Sequence, residues 1–321
     1  MEVLRGSGSV PPALKGAYIT IGNFDGVHLG HRQIFQALLQ EAHAAQRKTL
    51  LVTFVPHPKM VMHPERRPFY LLTTLEEKIK LLEELGLDAT ILLPFTLAYA
   101  ETTAESFIVD FLWKNLHVKK IFIGHDYTFG KNKGGNAEVL AAFGKKLGFD
   151  VAIINAVSVD GIIVSSTRIR ESILEGDVKT AAMLLGRPYG VTGTVIEGKK
   201  RGAKLGFPTA NIKPHKELLP KNGIYAAIMS MEGKRHPSVL NLGLNPTFGE
   251  SQLSLEVHVL DFQGNLYGKT LEVLFIERIR EERKFPGPEA LVVQMKDDAD
   301  QARAILKPFF RGTKAQGNFE F

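Results

Sequence analysis

Apolar positions in the first half of the chain fall in short β-rich runs separated by stretches with helical spacing. Residues 18–21 read as a first strand and 31–46 as a helix. Residues 50–54 form a second strand, closed by Pro56-His57-Pro58. Thr74 followed by Glu77 makes a capping box, opening a helix with apolar Ile79, Leu81, Leu82 and Leu85 that Gly86 ends. Residues 89–93, 120–123 and 151–154 are three more strands, with helices at 104–112 and 136–147. Five strands alternating with helices predict an α/β, doubly wound, Rossmann-like parallel sheet.

The period changes after Gly186-Arg187-Pro188. Short strands at 190–196, 224–229, 253–260 and 270–275 are broken by Gly, Pro and Asn roughly every ten residues, the spacing of an antiparallel barrel or sandwich. A helix over 289–306 follows, and the polar stretch 311–321 reads as a loose tail. The expected domains are 1–185, α/β, and 186–310, β with a C-terminal helix.

Composition narrows the chemistry. A length of 321 residues suits two domains, and 44% apolar with 23% charged residues is globular. No run approaches eighteen apolar residues, and the first sixteen lack the apolar block of a secretory signal, so a cytoplasmic protein without membrane attachment is expected. The absence of cysteine excludes disulfides, thiolate zinc sites, iron–sulfur clusters and a Cys nucleophile. The net charge of +6 is mixed along the chain, which points to small anionic substrates rather than to nucleic acid.

Residues 22–31 read GNFDGVHLGH, directly after the first strand. Ligands of an open parallel sheet bind beyond the carboxyl ends of its strands, and helix N-termini attract phosphates. His28 and His31, three apart, share a face there and can donate hydrogen bonds to oxygens that gain charge as an α-phosphorus is attacked. Gly30 leaves the backbone close to the phosphates. Ser165-Ser166-Thr167-Arg168 opens a second helix after the fifth strand, where hydroxyls, amides and an arginine suit a leaving pyrophosphate.

Together, GNFDGVHLGH, TFVPHP (53–58), GHDYTFG (124–130) and SSTRIR (165–170) resemble the FMN adenylyltransferase domain of bacterial riboflavin kinase/FAD synthetases, members of the nucleotidylyltransferase superfamily. The resemblance implies transfer of AMP from ATP to FMN. ATP would be held by Gly22, Asn23, Phe24, His28, Gly30, His31 and Ser165 to Arg168. Pro56, His57, Pro58 and Asp126 would lie near the flavin.

In the second half, residues 193–211 read GTVIEGKKRGAKLGFPTAN, a glycine-spaced basic loop. In an extended segment Thr209 and Asn211 point to one face, and a hydroxyl with an amide carbonyl can give two oxygens to Mg²⁺ alongside ATP phosphates. Glu256, within LSLEVHVLDF, shares a strand face with His258 and Leu260, and a carboxylate there can take a proton from a substrate hydroxyl.

GRPY (186–189), LGFPTANI (205–212), NGIYA (222–226), LNLGLNPTFG (240–249), LEVHVLDF (255–262) and IREERKF (279–285) are similar to the flavokinase barrel of the same family. That resemblance implies that Thr209 and Asn211 hold Mg-ATP, with Gly193, Gly198, Lys204 and Gly206 in the loop over its phosphates. Glu256 would activate the 5′-hydroxyl of riboflavin, and Arg280 would lie near the flavin. Similar sequences usually carry Gly-Arg where this chain has Gly202-Ala203, so Arg201 or Lys204 would supply that phosphate contact. The expected activity is conversion of riboflavin to FMN and then to FAD. The alternatives are an FAD synthetase with an inactive barrel and a non-catalytic flavin- or nucleotide-binding regulator.

Overall fold

The computed structural model describes residues 1–321 except 7, 9, 67–68, 199–201, 203–204, 248–249 and 311–321, with only the backbone of 66, 244–247 and 250–253. Arg201, Ala203, Lys204 and the expected tail therefore lie outside the described residues. Internal contacts divide the chain into Met1–Ser165 and Ser166–Phe321.

The first unit is built on a parallel sheet of six strands, β1 (Glu2–Arg5), β2 (Tyr18–Ile21), β3 (Thr49–Val55), β4 (Ala89–Pro94), β5 (Lys120–Gly124) and β6 (Asp150–Ile154). Their order is β1-β4-β3-β2-β5-β6, every pairing parallel. Five of the six are the expected strands. The sixth, β1, is an edge strand of four residues, mostly exposed, whose Glu2 and Arg5 leave too short an apolar run to read as a strand. A hairpin of β7 (Ser158–Val159) and β8 (Ile162–Ile163) follows the sheet.

Helices cover both faces. They are α1 (Leu29–Ala44), α2 (Pro58–Met62), α3 (Leu75–Glu84), α4 (Leu97–Ala100), α5 (Ala104–Ser106, continued by a wider helical turn Phe107–Asn115) and α6 (Ala137–Leu147). Leu51 and Phe122 pack with Ile34, Phe35, Leu38 and Leu82 from α1 and α3. On the other face Ile19, Leu50, Val52, Ile121 and Ile123 pack with Phe107, Ile108, Phe111, Leu112 and Leu140. Burial on both faces is why these strands read as continuous apolar runs rather than alternations. The capping box of α3 forms as expected: Glu77 N–H donates to Thr74 Oγ1 (3.2 Å) and Thr74 N–H to Glu77 Oε2 (3.0 Å).

The second unit begins with α7 (Ser166–Glu175) and α8 (Val178–Leu185), which is capped by Asp177 and ended by Gly186 at φ 69°. Strands β9 (Tyr189–Ile196), β10 (Ala210–Pro214), β11 (Gly223–Met231), β12 (Lys234–Thr247), β13 (Glu250–Val259) and β14 (Thr270–Arg280) close an antiparallel barrel in the order β10-β13-β12-β11-β14-β9. The expected barrel strands match β9, β11, β13 and β14. Prolines and asparagines inside β10 and β12 hide the alternation of those two.

Inward positions Tyr225, Leu240, Leu242, Leu255, Val257, Val273 and Phe275 are all at most 2% exposed, so the barrel is filled by its own side chains. The final helix, α9 (Pro288–Phe310), lies on the outer wall, where Ala299, Ala302 and Leu306 cover Ala226, Ile228, Leu260, Leu274 and Ile276.

Candidate active sites

In the sheet, chain order runs from β2 through β3 to β4 on one side and resumes at β5 and β6 on the other. The switch point therefore falls between β2 and β5, where open α/β sheets hold ligands. The segment 22–28 occupies that position, after β2 and before α1. Its backbone is contorted, with Phe24, Gly26 and Val27 at φ 48°, 86° and 43°. It is held from below by buried polar groups. The Asp25 carboxylate, 2% exposed, accepts hydrogen bonds from Leu72 N–H (3.0 Å), Thr73 N–H (3.2 Å) and the Thr73 hydroxyl (3.4 Å). That hydroxyl in turn accepts from Gly26 N–H (3.2 Å). The Asn23 carbonyl accepts from Thr53 Oγ1 (3.3 Å) and from the buried Lys78 ammonium (2.7 Å). Burial holds Lys78 below the ordinary lysine range, opposed by the nearby Asp25 charge.

The structure makes His28 the N-cap of α1 rather than part of its first turn, and the helix starts at Leu29, two residues before the expected start. His28 Nδ1 accepts from His31 N–H (3.3 Å), so in the neutral ring Nε2 carries the proton and can donate. The two imidazoles stack, centroids 3.5 Å apart at 17°, with Phe24 edge-on to His31 at 4.9 Å. A side chain at Gly30 would meet the His28 ring at 3.3 Å and the Val164 carbonyl at 3.7 Å. That close approach explains the glycine and brings the residue preceding Ser165 beside the histidines. Asn23 Oδ1 is buried with no hydrogen-bond partner among the described residues. Ser166 to Arg168 form the first turn of α7, Arg168 pairing with Glu171 at 3.8 Å.

Asp126 is exposed in the turn after β5, its carboxylate folded back toward Gly124. His57, after β3, caps α2 by accepting from Lys59 N–H (3.1 Å), and its ring lies 4.8 Å from Phe69. Sequence reasoning missed an aromatic set at the same carboxyl ends. Phe54, Phe95 and Tyr99 form a triangle with centroids 5.7–6.1 Å apart, and Tyr127 stacks on Phe129 at 5.4 Å. Burial pushes the Tyr99 phenol up to about 12 and raises that of Tyr127, so both stay neutral near pH 7.

On the barrel, strand register assembles the second site. Asn211 pairs with Glu256, Glu256 with Asn241, Asn241 with Ile224, and Ile224 with Arg280. Directly paired residues share a face, so these five form one cross-strand row over β10, β13, β12, β11 and β14. The row lies on the outer wall, opposite the inward Leu255 and Val257. Four of its members, Glu256, Asn241, Ile224 and Arg280, line a cavity of about 360 Å³ with Thr209, His258, Phe285 and, from α9, Leu291, Met295 and Asp298. Ser254 Oγ donates to Glu256 Oε1 at 3.0 Å. Asn211 packs against Gly198, at a distance that leaves no space for a side chain there. Gly193 lies in β9 and Gly206 turns the chain at φ 84°.

Arg280 is held by α9. Its Nε and Nη2 donate to the two Asp298 oxygens at 2.8 and 2.7 Å, and Asp298, 3% exposed, also accepts from Gln294 (2.8 Å). The Phe285 ring lies 5.8 Å from the Arg280 guanidinium and 5.0 Å from that of Arg283. His258 meets the Pro208 carbonyl through Nδ1 at 2.8 Å, which fixes the segment leading to Thr209. Asn241 and Asp298 were not singled out as site residues, because register and helix docking, not spacing, bring them to the cavity; His258 follows from alternation with Glu256 on β13, which gives it a shared face and no more.

The pair of oxygen donors Thr209 and Asn211, two residues apart, is hard in character and suits a Mg²⁺ ion that arrives with a nucleotide. Among the described residues there is no cluster of three or more His, Asp or Glu able to hold a metal without such help. No helix among the described residues is long and apolar enough to cross a membrane.

Comparison with known proteins covers both halves of the chain. The FAD synthetase family model matches residues 10–168 and the riboflavin kinase model residues 185–306. Bifunctional riboflavin kinase/FMN adenylyltransferases are similar over almost the whole chain. That of Haemophilus influenzae is 38% identical, covering 95% of this chain and 99% of the relative; that of Listeria monocytogenes is 38% identical, covering 90% and 92%. The Escherichia coli K12 relative is 34% identical, covering 95% and 98%. A solved Streptococcus pneumoniae structure described as a macrolide-efflux protein superposes with a TM-score of 0.86 at 30% identity, covering 94% of this chain and 99% of that one.

Proposed function

The chain belongs to the bifunctional riboflavin kinase/FMN adenylyltransferase family and carries both activities, and from that premise we propose how its residues divide the work. The barrel phosphorylates riboflavin and the sheet converts FMN to FAD, each step using ATP. An FAD synthetase with a silent barrel, or a regulator without turnover, is not favoured: the riboflavin kinase match spans the barrel and the relatives carry both activities in their names.

In the kinase step Glu256 is the general base. It takes the proton of the riboflavin 5′-hydroxyl as that oxygen attacks the γ-phosphorus of ATP; the bond to the bridging oxygen breaks and ADP leaves. Thr209 and Asn211 hold the nucleotide end, and Gly198 and Gly206 flank the segment over its phosphates; Gly193, expected in that loop, is instead a strand residue of β9, where close packing on Ile212 and Lys213 requires a glycine. Bound with ATP there, Mg²⁺ neutralises phosphate charge. Arg280, fixed by Asp298, and the Phe285 segment face the flavin ring. The observation that carries this reading is the cross-strand row, which sets Asn211, Glu256 and Arg280 in line along one wall.

In the adenylyl step an already ionised FMN phosphate oxygen attacks the α-phosphorus of ATP, and pyrophosphate leaves. No base is needed. His28 and His31 stabilise the charge growing on the α-phosphate, with Gly22, Asn23, Phe24 and Gly30 lining the phosphates. Ser165, Ser166, Thr167 and Arg168 receive the pyrophosphate. Pro56, His57, Pro58 and Asp126 border the flavin, whose ring finds aromatic partners in Phe54, Phe95, Tyr99 and Tyr127. Substrates of this kind, ATP and riboflavin phosphates, suit the cytoplasm.

Incubation with riboflavin, ATP and Mg²⁺, with the flavins resolved over time, tests the whole scheme. FMN appears first and FAD follows. Untouched riboflavin, with added FMN still converted to FAD, would mean an inactive barrel beside a working sheet; no turnover from either flavin would leave only a binding protein.

A further inference from the structure

The row on the barrel wall contains one polar residue to which the two reactions assign nothing. Asn241 stands between Glu256 on β13 and Ile224 on β11, directly paired with both. It lines the cavity, and its Oδ1 is buried with no hydrogen-bond partner among the described residues. A buried amide oxygen left unsatisfied costs stability, so a partner at this position has to come from elsewhere.

The order of the row says what that partner is. It runs from an amide at the nucleotide end (Asn211), through the carboxylate that meets the reacting hydroxyl (Glu256), to an apolar position (Ile224) and the Arg280–Asp298 pair beside Phe285. Adjacent strands lie roughly 4.8 Å apart. One strand beyond Glu256, a substrate that presents its terminal hydroxyl to the carboxylate and its ring to the apolar end has its polyol chain at Asn241. A carboxamide suits a secondary hydroxyl, since it both accepts and donates.

We infer that Asn241 is the residue that binds the ribityl hydroxyls of riboflavin and thereby sets the reach of the 5′-hydroxyl to Glu256. The inference rests on the proposed role of Glu256 for its direction along the row. It makes Asn241 a specificity residue: it recognises a polyol-bearing flavin and is indifferent to the bare ring.

The test is flavin binding by fluorescence quenching with the full chain, comparing riboflavin with lumiflavin, which has the ring and no polyol. Asn241→Ala should weaken riboflavin about tenfold, the scale of one lost hydrogen bond in a desolvated site, and leave lumiflavin unchanged. Asn241→Ser, which keeps a hydroxyl, should restore part of the loss. Equal weakening of both flavins would show a structural defect and overturn the inference, as would an unchanged riboflavin affinity. Glu256→Gln separates the two readings. It should bind riboflavin normally and fail to turn it over; if it turns riboflavin over at the wild-type rate, the base assignment falls while the Asn241 result stands on its own.

Discussion

The two sites are built on opposite principles. At the sheet, the candidate residues come from loops and helix starts, and most are neighbours in sequence: Gly22 to His31 is one continuous turn. At the barrel, they come from the outward faces of five strands and a helix, and no two members of the row are adjacent in sequence. A loop site is positioned by what holds the loop, here Asp25, Thr73 and Lys78 beneath it. A wall site is positioned by register, so each residue is held by the sheet itself and needs support only at its ends. Arg280, at one end, receives that support from Asp298.

The sharpest way to break the comparison is to disable each site alone. Glu256→Ala should lower riboflavin phosphorylation about 10²–10⁴-fold, the usual range for a general base, and spare conversion of supplied FMN to FAD. Loss of both activities in a folded variant would remove Glu256 from the role of a local base. His28→Ala with His31→Ala should do the reverse: FMN accumulates from riboflavin, and FAD formation falls about 10²–10³-fold, as for other lost transition-state donors. Normal FAD output from that double variant would remove the histidines from the mechanism.

Next come the supports. Asp298→Ala leaves the partly buried Arg280 guanidinium without its buried carboxylate, a loss smaller than the about 3–5 kcal/mol of a fully buried pair. Thermal unfolding of the barrel should move down accordingly, with a raised KM for riboflavin and unchanged FMN adenylylation. The further change Arg280→Met should recover part of the stability, because it removes the stranded charge; no recovery would show that the pair is not what Asp298 stabilises.

The smallest effect belongs to Lys78, whose pKa in the folded chain lies below the ordinary 10.5 because of burial. Between the lowered value and 10.5 the unfolded chain binds more protons than the folded one, so stability rises with pH across that window. Relative to Lys78→Met, the wild type should therefore gain stability as pH climbs toward 10.5. The variant should also loosen the loop after β2 and weaken ATP in the adenylyl step only. A pH-independent stability difference between the two proteins would contradict the lowered pKa.

Legibility differed between the sites for the same reason. GNFDGVHLGH could be read because its chemistry is local, and the resemblance of the remaining motifs to one family covered both halves of the chain. The structure still changed its details: His28 caps α1, and the aromatic set of Phe54, Phe95, Tyr99 and Tyr127 is gathered from three strand ends. Glu256 was legible as a charged residue on an otherwise apolar strand, but whether that face met solvent or a site could not be read from alternation. The docking of α9 over the outer wall decided it. Asn241 carried no signal, since an asparagine among apolar neighbours in a strand has many uses.

By itself the sequence determined the two architectures, five of the six sheet strands, four of the six barrel strands and the chemistry of both halves, because periodicity and contiguous motifs are properties of neighbouring residues. Tertiary structure alone decided the edge strand β1, the filled barrel interior that leaves the cavity on the outer wall, and the row Asn211–Glu256–Asn241–Ile224–Arg280. Register is a relation between residues far apart in the chain, set by how strands pair and which face is buried, and no local pattern encodes it.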